Sequence, residues 1–369
     1  MDKVLFLSNH SGFSKFNKPY FDFLSKKGVK VYNAAPGIEV IADCVQIDVP
    51  ISRNPLSLYN LLALFILIRR IKEENIINIH CHTPSGGVIG RLLKIFIPNL
   101  KVIYTSHGFH FYKGAPFRYW LIYFVIEFLL APLTKAIITI NDEDYHRSKK
   151  LLKRNTYKIN GVGIDLTRFK PDDVVKKLGR EKLKICEKSL VFIYTAQFID
   201  RKNHIFLLKS FSKYVKTNPN AILLLLGSGP GEQRQKKLAN DLNISKHIRF
   251  LGYKKNIEYY YQLSDIAVTV SKQEGLPMNV VESLATGLIV LASDIRGHRD
   301  IIKQSPGNHL FSLNDDSFFE SLLKIDDKVI NDLKQKRQNV KSAIKFDIDS
   351  SLGQMKNIYV REFNLNLIK

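Results

Sequence analysis

The chain has 369 residues, 45% hydrophobic and 24% charged, a composition typical of a globular protein with room for two ordinary domains. Its 56 Lys and Arg against 34 Asp and Glu give a formal net charge of +22, which suits nucleic acid, anionic lipid or a diphosphate-bearing ligand as a partner. Cys44, Cys81 and Cys186 are widely separated and form no CxxC pair, which argues against a disulfide framework or a structural zinc site and fits a reducing cytoplasm.

The first part of the chain alternates between strands and helices. A short apolar run at residues 4–7 is ended by the polar sequence SNH, so it is interpreted as a first strand and not as a signal peptide. Strands are predicted at 4–7, 29–33, 45–49, 76–81, 102–105 and 136–140, and helices at 16–26, 56–73, 87–95, 117–130 and 143–152. This alternation predicts a parallel sheet covered by helices on both faces.

Two helices of this part are unusually apolar. Residues 58–68 are followed by Arg69 and Arg70, and residues 119–133 are interrupted by Glu127, so neither stretch has the length of an uninterrupted membrane span. Each is open to two interpretations, a core helix or a helix that contacts a membrane surface without crossing it.

Two loops at the carboxyl ends of predicted strands carry candidate ligand contacts. The loop SNHSG contains Gly12, which could approach a phosphate closely. In YTSHGFHFYKGAP, His107 ends a strand, where its imidazole could donate or accept a hydrogen bond at a ligand hydroxyl. His110, three residues later, is assigned either a structural role or a ligand contact.

A third loop, HCHTPSGGVIGR, follows the strand at 76–81. His80 and His82 would point to the same side of an extended chain, but no third ligand follows at a suitable spacing, so a zinc site is not expected. Gly86 and Gly87 would let the next helix start close to the sheet or to a ligand.

A composition break at residues 160–171, NGVGIDLTRFKP, is interpreted as a linker, after which the alternation restarts. Strands are predicted at 191–195, 222–226, 248–251, 265–270 and 288–292, and helices at 205–215, 231–242, 257–263 and 277–287. Two Rossmann-like domains with a cleft between them are the simplest architecture. The helical spacing of apolar residues over 346–363 predicts a final amphipathic helix that packs on one of them.

The stretch SKQEGLPMNVVESLATGLIVLASD, residues 271–294, is predicted as strand end, turn, helix and strand. Pro277 suits the first helical turn and Gly287 suits the helix stop. The amides of the turn at 275–279 would have no intrahelical partners, which makes an anion site. Glu274 and Glu282 would meet neutral hydroxyls, so the ligand is expected to be part phosphate and part sugar. The alternative is a surface turn in which Glu282 is an ordinary solvated residue.

The spacing from Glu274 to Glu282, with GLP after the first, resembles the signature of the retaining family 4 glycosyltransferases. The resemblance implies an α/β GT-B fold, with two Rossmann-like domains facing a central cleft and a C-terminal helix that crosses back to the N-terminal domain. It implies an acceptor-binding domain at 1–163, a nucleotide-sugar-binding domain at 164–345 and the crossing helix at 346–369. The sequences HCHTPSGGVIGR, HGFHFYKGAP, INDEDYHRSKK and GVGIDLTRF resemble the subgroup that builds capsular, exopolysaccharide and other lipid-linked surface glycans.

The resemblance also implies roles for individual residues. Glu274 and the following backbone amides would hold the donor sugar, Glu282 would hold the ribose, and His107 would face the donor sugar. Glu274, His107 and Lys202 are therefore the predicted catalytic residues, and His82, Gly86, Gly87 and His110 are placed on the acceptor side. The predicted donor-binding residues are Gly12, Gln197, Arg201, Lys202, Tyr253, Glu274, Gly275, Leu276, Pro277, Met278, Asn279 and Glu282.

Two loops of the second half supply four of these donor contacts. In TAQFIDRKNH, Lys202 and Arg201 can neutralise a diphosphate leaving group. The family commonly has Gly-Arg where this chain has Ala196 and Gln197, so Lys202 and Arg201 would carry more of the charge. In GYKKN, Tyr253 would lie near the nucleotide base or in a solvated turn.

Other motifs are interpreted without a cofactor or a metal. The loop GSGPG at 227–231 falls short of the dinucleotide fingerprint, which disfavours an NAD dehydrogenase. The pairs Asp142 with Asp144 and Asp347 with Asp349 stand at predicted helix starts, where acidic residues act as caps. By resemblance, Lys202 and the helix N-terminus supply the positive field that a metal would otherwise supply.

The sequence is thus identified as a retaining, metal-independent glycosyltransferase of bacterial surface polysaccharide biosynthesis. It is expected to move a hexose or N-acetylhexosamine from a UDP-sugar to a polyprenyl-diphosphate-linked glycan, as a peripheral protein on the anionic cytoplasmic face of the membrane. A nucleotide-sugar epimerase of the same fold is the first alternative. The second, a basic nucleic-acid-binding protein, is disfavoured because the aromatic run at 259–261 lies in a predicted helix.

Overall fold

The computed structural model describes residues 1–37, 43–54, 57–303, 305–325, 330 and 332–367. The chain divides into two compact units. The first contains Met1–Gly163 and Ile348–Lys369, and the second contains Ile164–Asp347. Each unit is built on one parallel sheet with helices on its faces, as the alternation of strands and helices predicts.

The sheet of the first unit has seven strands in the order β3-β2-β1-β4-β5-β6-β7, all parallel. The strands are β1 (Lys3–Leu7), β2 (Lys30–Ala35), β3 (Val45–Asp48), β4 (Asn78–His82), β5 (Lys101–Ser106), β6 (Ala136–Thr139) and β7 (Asn155–Lys158). Strand β1, an inner strand of this sheet, is buried on both faces. Leu5 and Leu7 join an apolar cluster on one face, and Phe6 packs edge-to-face on Phe21, with ring centroids 4.7 Å apart.

Helices cover both faces of this sheet. Their bounds are Gly12–Lys26, Leu58–Glu73, Pro84–Phe96, Phe117–Tyr119, Val125–Leu130, Asp142–Arg147 and Ile348–Phe363, with π-helical turns at Trp120–Phe124 and Ser148–Leu152 and a 3-10 turn at Ala131–Leu133. The first residue of the helix predicted over 56–73 lies outside the described residues. Over the part of the chain that the structure describes, none of the helices has the length and apolar content needed to cross a membrane.

The C-terminal helix Ile348–Phe363 belongs to the first unit, so its predicted return to the N-terminal domain is confirmed. Its buried face carries Tyr359, whose hydroxyl lies 2.8 Å from Nδ1 of His80. Near its end, Glu362 accepts a hydrogen bond of 2.5 Å from the Tyr157 hydroxyl, and the Phe363 carbonyl accepts one of 2.9 Å from Lys101. These contacts tie the helix to strands β4, β5 and β7.

The sheet of the second unit has six parallel strands in the order β10-β9-β8-β11-β12-β13. The strands are β8 (Val191–Thr195), β9 (Ile222–Leu226), β10 (Ile248–Gly252), β11 (Ile266–Thr269), β12 (Ile289–Ser293) and β13 (His309–Phe311). Strand β9 is buried on both faces: Leu223 and Leu225 join the cluster on one face, and Leu224 and Leu226 join the cluster on the other. Its sequence is therefore continuously apolar.

The helices of the second unit follow its strands. Their bounds are Asp173–Lys182, His204–Thr217, Glu232–Asp241, Ile257–Leu263, Met278–Ala285, Arg296–Ile302, Asp315–Leu323 and Leu333–Ala343, with 3-10 turns at Asp200–Lys202, Ser245–His247 and Ile344–Phe346. Helix Met278–Ala285 lies in the stretch that the sequence singles out. The helix begins one residue after the predicted start, so Pro277 is its N-cap and does not lie in its first turn. Gly287 follows its end with a positive φ of 78°, as a helix stop requires.

The sequence prediction lacks strands β7 and β13 and four helices of the second unit. Strand β7, NTYK, lies at the edge of its sheet with no fully buried residue, and β13 has three residues, so neither shows a buried apolar run. The missed helices are Asp173–Lys182, Arg296–Ile302, Asp315–Leu323 and Leu333–Ala343.

Candidate active site

A cavity of about 510 Å³ opens in the second unit at the carboxyl ends of its strands. This edge of a doubly wound sheet is where ligands bind. Most of the predicted donor-binding residues line it. They are Gln197, Lys202, Tyr253, Glu274, Leu276, Pro277, Met278, Asn279 and Glu282.

Glu274 is buried at one wall of this cavity, with 8% of its surface exposed. Its Oε1 lies 2.5 Å from Nζ of Lys202, and its Oε2 lies 3.1 Å from a guanidinium nitrogen of Arg201. Burial tends to raise the pKa of Glu274, but the charge and hydrogen bond of Lys202, with the charge of Arg201, outweigh it and hold the pKa below its usual value. The carboxylate is therefore ionised and shared by two cations.

The two cations come from the 3-10 turn Asp200–Lys202 that follows β8. The Tyr194 hydroxyl donates a hydrogen bond of 2.8 Å to the Lys202 carbonyl, and the amide of Lys272 donates one of 2.9 Å to the Arg201 carbonyl. The backbone of the turn is thus fixed by β8 and by the segment after β11. Both side chains are held near Glu274 by the fold of this unit alone.

The turn from Gly275 to Asn279 enters helix Met278–Ala285. The backbone N–H groups of Gly275, Leu276, Met278 and Asn279 donate to no hydrogen-bond acceptor among the described residues. Because these donors stand at a helix N-terminus, they have the arrangement that the predicted anion site requires.

Glu282 lies one turn down that helix and is half-buried. Its Oε2 accepts a hydrogen bond of 2.9 Å from Tyr261, whose hydroxyl also lies 2.5 Å from Oγ1 of Thr195. Burial raises the pKa of Glu282 to about 7, although the bond from Tyr261 works in the opposite direction. Glu282 is therefore a lining residue of the cavity with a fixed orientation, and the alternative of an ordinary solvated helix residue does not describe it.

Three residues that the sequence analysis passed over support the turn after β11. Arg296 donates a hydrogen bond of 3.2 Å from Nε to the Glu274 carbonyl. Gly297 packs so closely that an added Cβ would lie 2.6 Å from the Gly275 carbonyl oxygen. His298 is fully buried, and its Nδ1 lies 2.7 Å from the Ser293 carbonyl. The sequence RGH, which begins a further strand-to-helix turn, could have indicated these three residues.

The departure from the family pattern lies on the other side of the cavity. Gln197 is exposed, and Ala196 is packed against the loop after β9. An added Cβ at Gly227, whose φ is +137°, would lie 2.1 Å from the Ala196 carbonyl oxygen. The loop GSGPG is therefore used for packing against the loop after β8, and Tyr253, 71% exposed, stands at the rim.

The remaining predicted residues belong to the first unit. His82 and His107 are adjacent, with Nδ1 of His82 lying 3.0 Å from Nε2 of His107. Burial is the main cause that lowers the pKa of His107 to about 4 and the pKa of His82 well below its usual value, so both imidazoles are neutral near pH 7. His110 stacks on Tyr123, with ring centroids 4.3 Å apart.

The glycines predicted for the first unit lie at two helix starts. Gly12 begins helix Gly12–Lys26, and its amide donates to Nδ1 of His10 at 2.9 Å. An added Cβ at Gly86 would lie 2.9 Å from the Leu7 carbonyl oxygen, and one at Gly87 would lie 2.6 Å from the ring of Tyr104. Gly86 and Gly87 thus bring their helix close to the sheet, one of the two uses that the sequence suggested.

The acidic pairs serve local structure. Asn141, and not Asp142, caps helix Asp142–Arg147, and Asp144 accepts a hydrogen bond of 3.0 Å from the Phe109 amide. Asp142 pairs with Lys158 at 2.5 Å, and Asp349 lies in the first turn of the C-terminal helix. Within the described ranges, no group of three or more His, Cys, Asp or Glu side chains is placed to hold a metal ion.

Comparison with known proteins places this geometry in context. The model of "Glycosyl transferases group 1" matches residues 175–345, and that of "Glycosyl transferase 4-like" matches residues 3–141. EpsD of Bacillus subtilis (strain 168), which bears the name of a glycosyltransferase, is 33% identical over 97% of this chain and 96% of its own length.

Two proteins of Escherichia coli are more distant. The UDP-Gal:alpha-D-GlcNAc-diphosphoundecaprenol alpha-1,3-galactosyltransferase is 27% identical over 84% of this chain and 81% of its own. The O-antigen biosynthesis glycosyltransferase WbnH is 26% identical over 81% of both chains.

Solved structures share the fold. Sucrose-phosphate synthase from Thermosynechococcus elongatus superposes with a TM-score of 0.85, 16% identity, and coverage of 99% of this chain and 100% of that one. HepE of Anabaena, in complex with UDP and glucose, superposes with a TM-score of 0.75, 16% identity, and coverage of 97% and 99%.

Proposed function

The chain belongs to the family 4 glycosyltransferases, retaining enzymes of the GT-B fold, and from this premise we propose that it builds a bacterial surface polysaccharide. The donor is a UDP-sugar carrying a hexose or N-acetylhexosamine. The acceptor is a glycan linked to polyprenyl diphosphate. The relatives support these choices, because one is named for UDP-galactose and a diphosphoundecaprenol acceptor and another for O-antigen biosynthesis.

One observation carries the proposal: the second unit gathers a buried carboxylate, two cations paired with it and unpartnered backbone amides in and beside one cavity. The diphosphate of the donor would lie against Lys202, Arg201 and the amides of the turn before helix Met278–Ala285. Glu282 would accept hydrogen bonds from the ribose, and the base would lie at the rim, near Tyr253. Glu274 would receive hydroxyls of the transferred sugar.

The arrangement supports transfer with retention and without a metal. As the bond between C1 of the sugar and the phosphate oxygen breaks, negative charge grows on the leaving diphosphate, and the cations and helix N-terminus stabilise it. The acceptor hydroxyl forms its bond to C1 on the face that the diphosphate leaves, and its proton passes to a phosphate oxygen. Glu274 then positions the sugar and favours positive charge on its ring without a covalent intermediate.

The acceptor lipid places the enzyme at the cytoplasmic face of the membrane. Helix Leu58–Glu73 and the helix at 117–130 of the first unit expose large apolar side chains, among them Phe65 and Leu129. We assign this face to peripheral contact with anionic lipid, since Arg69 and Arg118 stand on the same helices. The cytoplasmic, peripheral location rests on this face and on the acceptor.

The proposal is tested by nucleotide release from a panel of UDP-, GDP- and ADP-sugars. The purified wild type is compared with Glu274→Ala and with a matched control, Glu181→Ala, which removes an exposed carboxylate from helix Asp173–Lys182 of the same unit. Each is assayed with and without a bacterial lipid extract that contains polyprenyl-diphosphate sugars.

We expect release from a UDP-sugar that requires the lipid, falls by about 10²-fold or more in Glu274→Ala and is unchanged in Glu181→Ala. Release that does not need an acceptor would favour the epimerase. Near-normal release by Glu274→Ala would remove the proposed mechanism.

A further inference from the structure

Three imidazoles are packed together in the first unit, on β4 and just after β5. The rings of His80 and His82 lie 4.2 Å apart, and His82 reaches His107 through the 3.0 Å contact between Nδ1 and Nε2. Both ring nitrogens of His80 are engaged: Nδ1 lies 2.8 Å from the Tyr359 hydroxyl, and Nε2 lies 2.7 Å from Oγ1 of Thr105. His80 therefore contacts His82 only by packing of the rings, whereas His82 contacts His107 through a ring nitrogen.

The surroundings of His82 decide where its proton lies. His82 is 1% exposed, and Phe6 stacks on its ring at 5.9 Å with an interplanar angle of 9°. Its Nε2 is buried without a hydrogen-bond partner among the described residues, whereas Nδ1 faces Nε2 of His107. A proton on Nε2 would leave a buried N–H without an acceptor, which proteins rarely tolerate. A proton on Nδ1 makes a hydrogen bond, so His82 is the Nδ1–H tautomer.

The tautomer of His107 follows from that of His82. Because Nδ1–H of His82 donates, Nε2 of His107 must accept, and the proton of the neutral His107 ring is then on its Nδ1. The edges of Phe13 and Phe16 face the His107 ring, with centroid distances of 5.0 and 5.5 Å, and keep it in an apolar setting that disfavours a second proton. His107 is half-buried, and no described residue takes its Nδ1–H.

We propose that His82 is a positioning residue that holds His107 as a hydrogen-bond donor, through Nδ1–H, for a sugar hydroxyl of the substrate. This inference rests on the proposed function for the identity of the ligand, but the tautomers rest on the geometry of the first unit alone. The sequence left open whether His107 donates or accepts at the sugar. With its Nε2 lone pair already used, His107 is not free to act as a base, which agrees with the proposed transfer of the acceptor proton to the leaving phosphate.

The first test reads the protons directly, without a substrate. Long-range ¹H–¹⁵N correlation spectra of the full-length protein, labelled at histidine with ¹⁵N, distinguish protonated from bare ring nitrogens near pH 7. His107→Gln and His82→Asn assign the two rings by difference. We expect Nδ1–H and bare Nε2 on both. A proton on Nε2 of His107, or on Nε2 of His82, would overturn the proposal whatever the substrate is.

The second test asks whether His82 acts through His107. His82→Leu removes the donor, whereas in His82→Asn the side-chain amide nitrogen can take the place of Nδ1. We expect kcat to fall roughly 10-fold in His82→Leu, to recover to within about 3-fold in His82→Asn, and to fall about 10²-fold in His107→Ala. The double variant His82→Leu/His107→Ala should be no slower than His107→Ala alone.

Urea unfolding of the full-length chain is the control for folding of the first unit, and UDP affinity, which we assign to the second unit, should be equal in all four variants. Multiplicative losses in the double variant, or no rescue by His82→Asn, would overturn the positioning role. Full activity of His107→Ala with a working donor would instead contradict the contact to the sugar, and the tautomers would then be judged by the spectra alone.

Discussion

Glu274 forms ion pairs with Lys202 and Arg201, the two cations that we assign to the donor diphosphate. Its carboxylate oxygens lie 2.5 Å from Lys202 and 3.1 Å from Arg201, within a wall of the cavity. A diphosphate that binds there must compete with the carboxylate for the same positive charge. When it succeeds, the oxygens of Glu274 become available for hydroxyls of the sugar. Donor binding and the orientation of Glu274 are thus coupled in our proposal.

Glu274→Gln should separate these two roles. Removing the carboxylate charge releases Lys202 and Arg201 for the diphosphate, so we expect UDP to bind about 3- to 10-fold more tightly than to the wild type. Sugar transfer should still be lost, because an amide cannot favour positive charge on the sugar ring. Calorimetric titration of UDP into both proteins measures the first effect. Weaker binding of UDP to Glu274→Gln would contradict the competition.

Ionisation of Glu282 in the folded protein lowers its free energy of unfolding, and replacing Glu282 should reveal this loss. Its pKa is raised to about 7, above the ordinary value of 4.5. The protonated carboxyl group therefore contributes folding stability that is fully present below pH 4.5 and is lost as the pH rises through about 7. Gln at this position never ionises. We therefore expect Glu282→Gln to match the wild type near pH 5 and to exceed it at pH 8, by roughly 1–3 kcal/mol in the free energy of unfolding.

Urea unfolding of both proteins at the two pH values checks this, and UDP titration checks the accompanying loss of ribose binding. A constant difference between the two proteins across this pH range would mean that Glu282 is not the titrating group. The stabilising change should weaken UDP binding, because a buried carboxylate is kept at this site for its ligand.

The sequence identified the residues of this site that lie close together in the chain. Glu274, the turn and Glu282 occupy one strand-to-helix unit, so their spacing alone predicted an anion site beside two carboxylates. Tyr261 and Arg296 could not be found in this way. Tyr261 contacts Glu282 from the helix before this strand-to-helix segment, and Arg296 contacts the Glu274 carbonyl from the helix after it. Only the packing of the sheet brings these residues together.

At the scale of elements, burial decided what could be predicted. Strands buried on both faces, such as β8 and β9, are continuous apolar runs and were predicted with the bounds that the structure has. Edge strands β7 and β13 are short or half-exposed, so no apolar run marked them. The missed helix Leu333–Ala343 is mostly polar and buries only Asn339 and Ala343 among its described residues.

Helix Pro84–Phe96 shows how closely one element approaches another. An added Cβ at Gly90 would lie 2.1 Å from Sγ of Cys81, 3.2 Å from Leu7 and 3.7 Å from Cβ of Cys81. The sulfur is thus the atom that requires glycine at this position. Gly90→Ala should destabilise the protein by about 1–3 kcal/mol through overpacking.

Cys81→Ala removes the sulfur and leaves ordinary van der Waals distance to Cβ. We therefore expect Gly90→Ala/Cys81→Ala to be more stable than Gly90→Ala alone, which is a coupling that a double-mutant cycle of urea midpoints measures. Additive losses would show that the side chain of Leu7, 3.2 Å from the added Cβ, and not the sulfur, limits the approach of this helix to the sheet.

At the scale of the whole molecule, charge and apolar exposure point to the same partner. The chain carries a net charge of +22. The first unit exposes Phe65 by 72%, Phe117 by 80% and Leu129 by 67%. The carboxylate of Glu127, on the same helix as Leu129, is turned inward by a buried pair with Arg91 at 2.6 Å, so its charge does not interrupt the exposed side chains. An anionic bilayer offers both a negative surface and an apolar interior to such a face.

Phe65→Glu and Leu129→Glu should weaken binding to vesicles that contain phosphatidylglycerol by about 10-fold each, because each change removes a large apolar group from the bilayer and adds a repelled charge. The matched control is Leu178→Glu, which makes the same charge change at a leucine of the second unit that is 59% exposed. UDP affinity should be unchanged in all three variants, and wild-type binding should fall as salt rises. Equal losses in the control would mean that the net charge, and not this face, holds the protein at the membrane. Unchanged binding in all three would instead exclude these side chains from the contact.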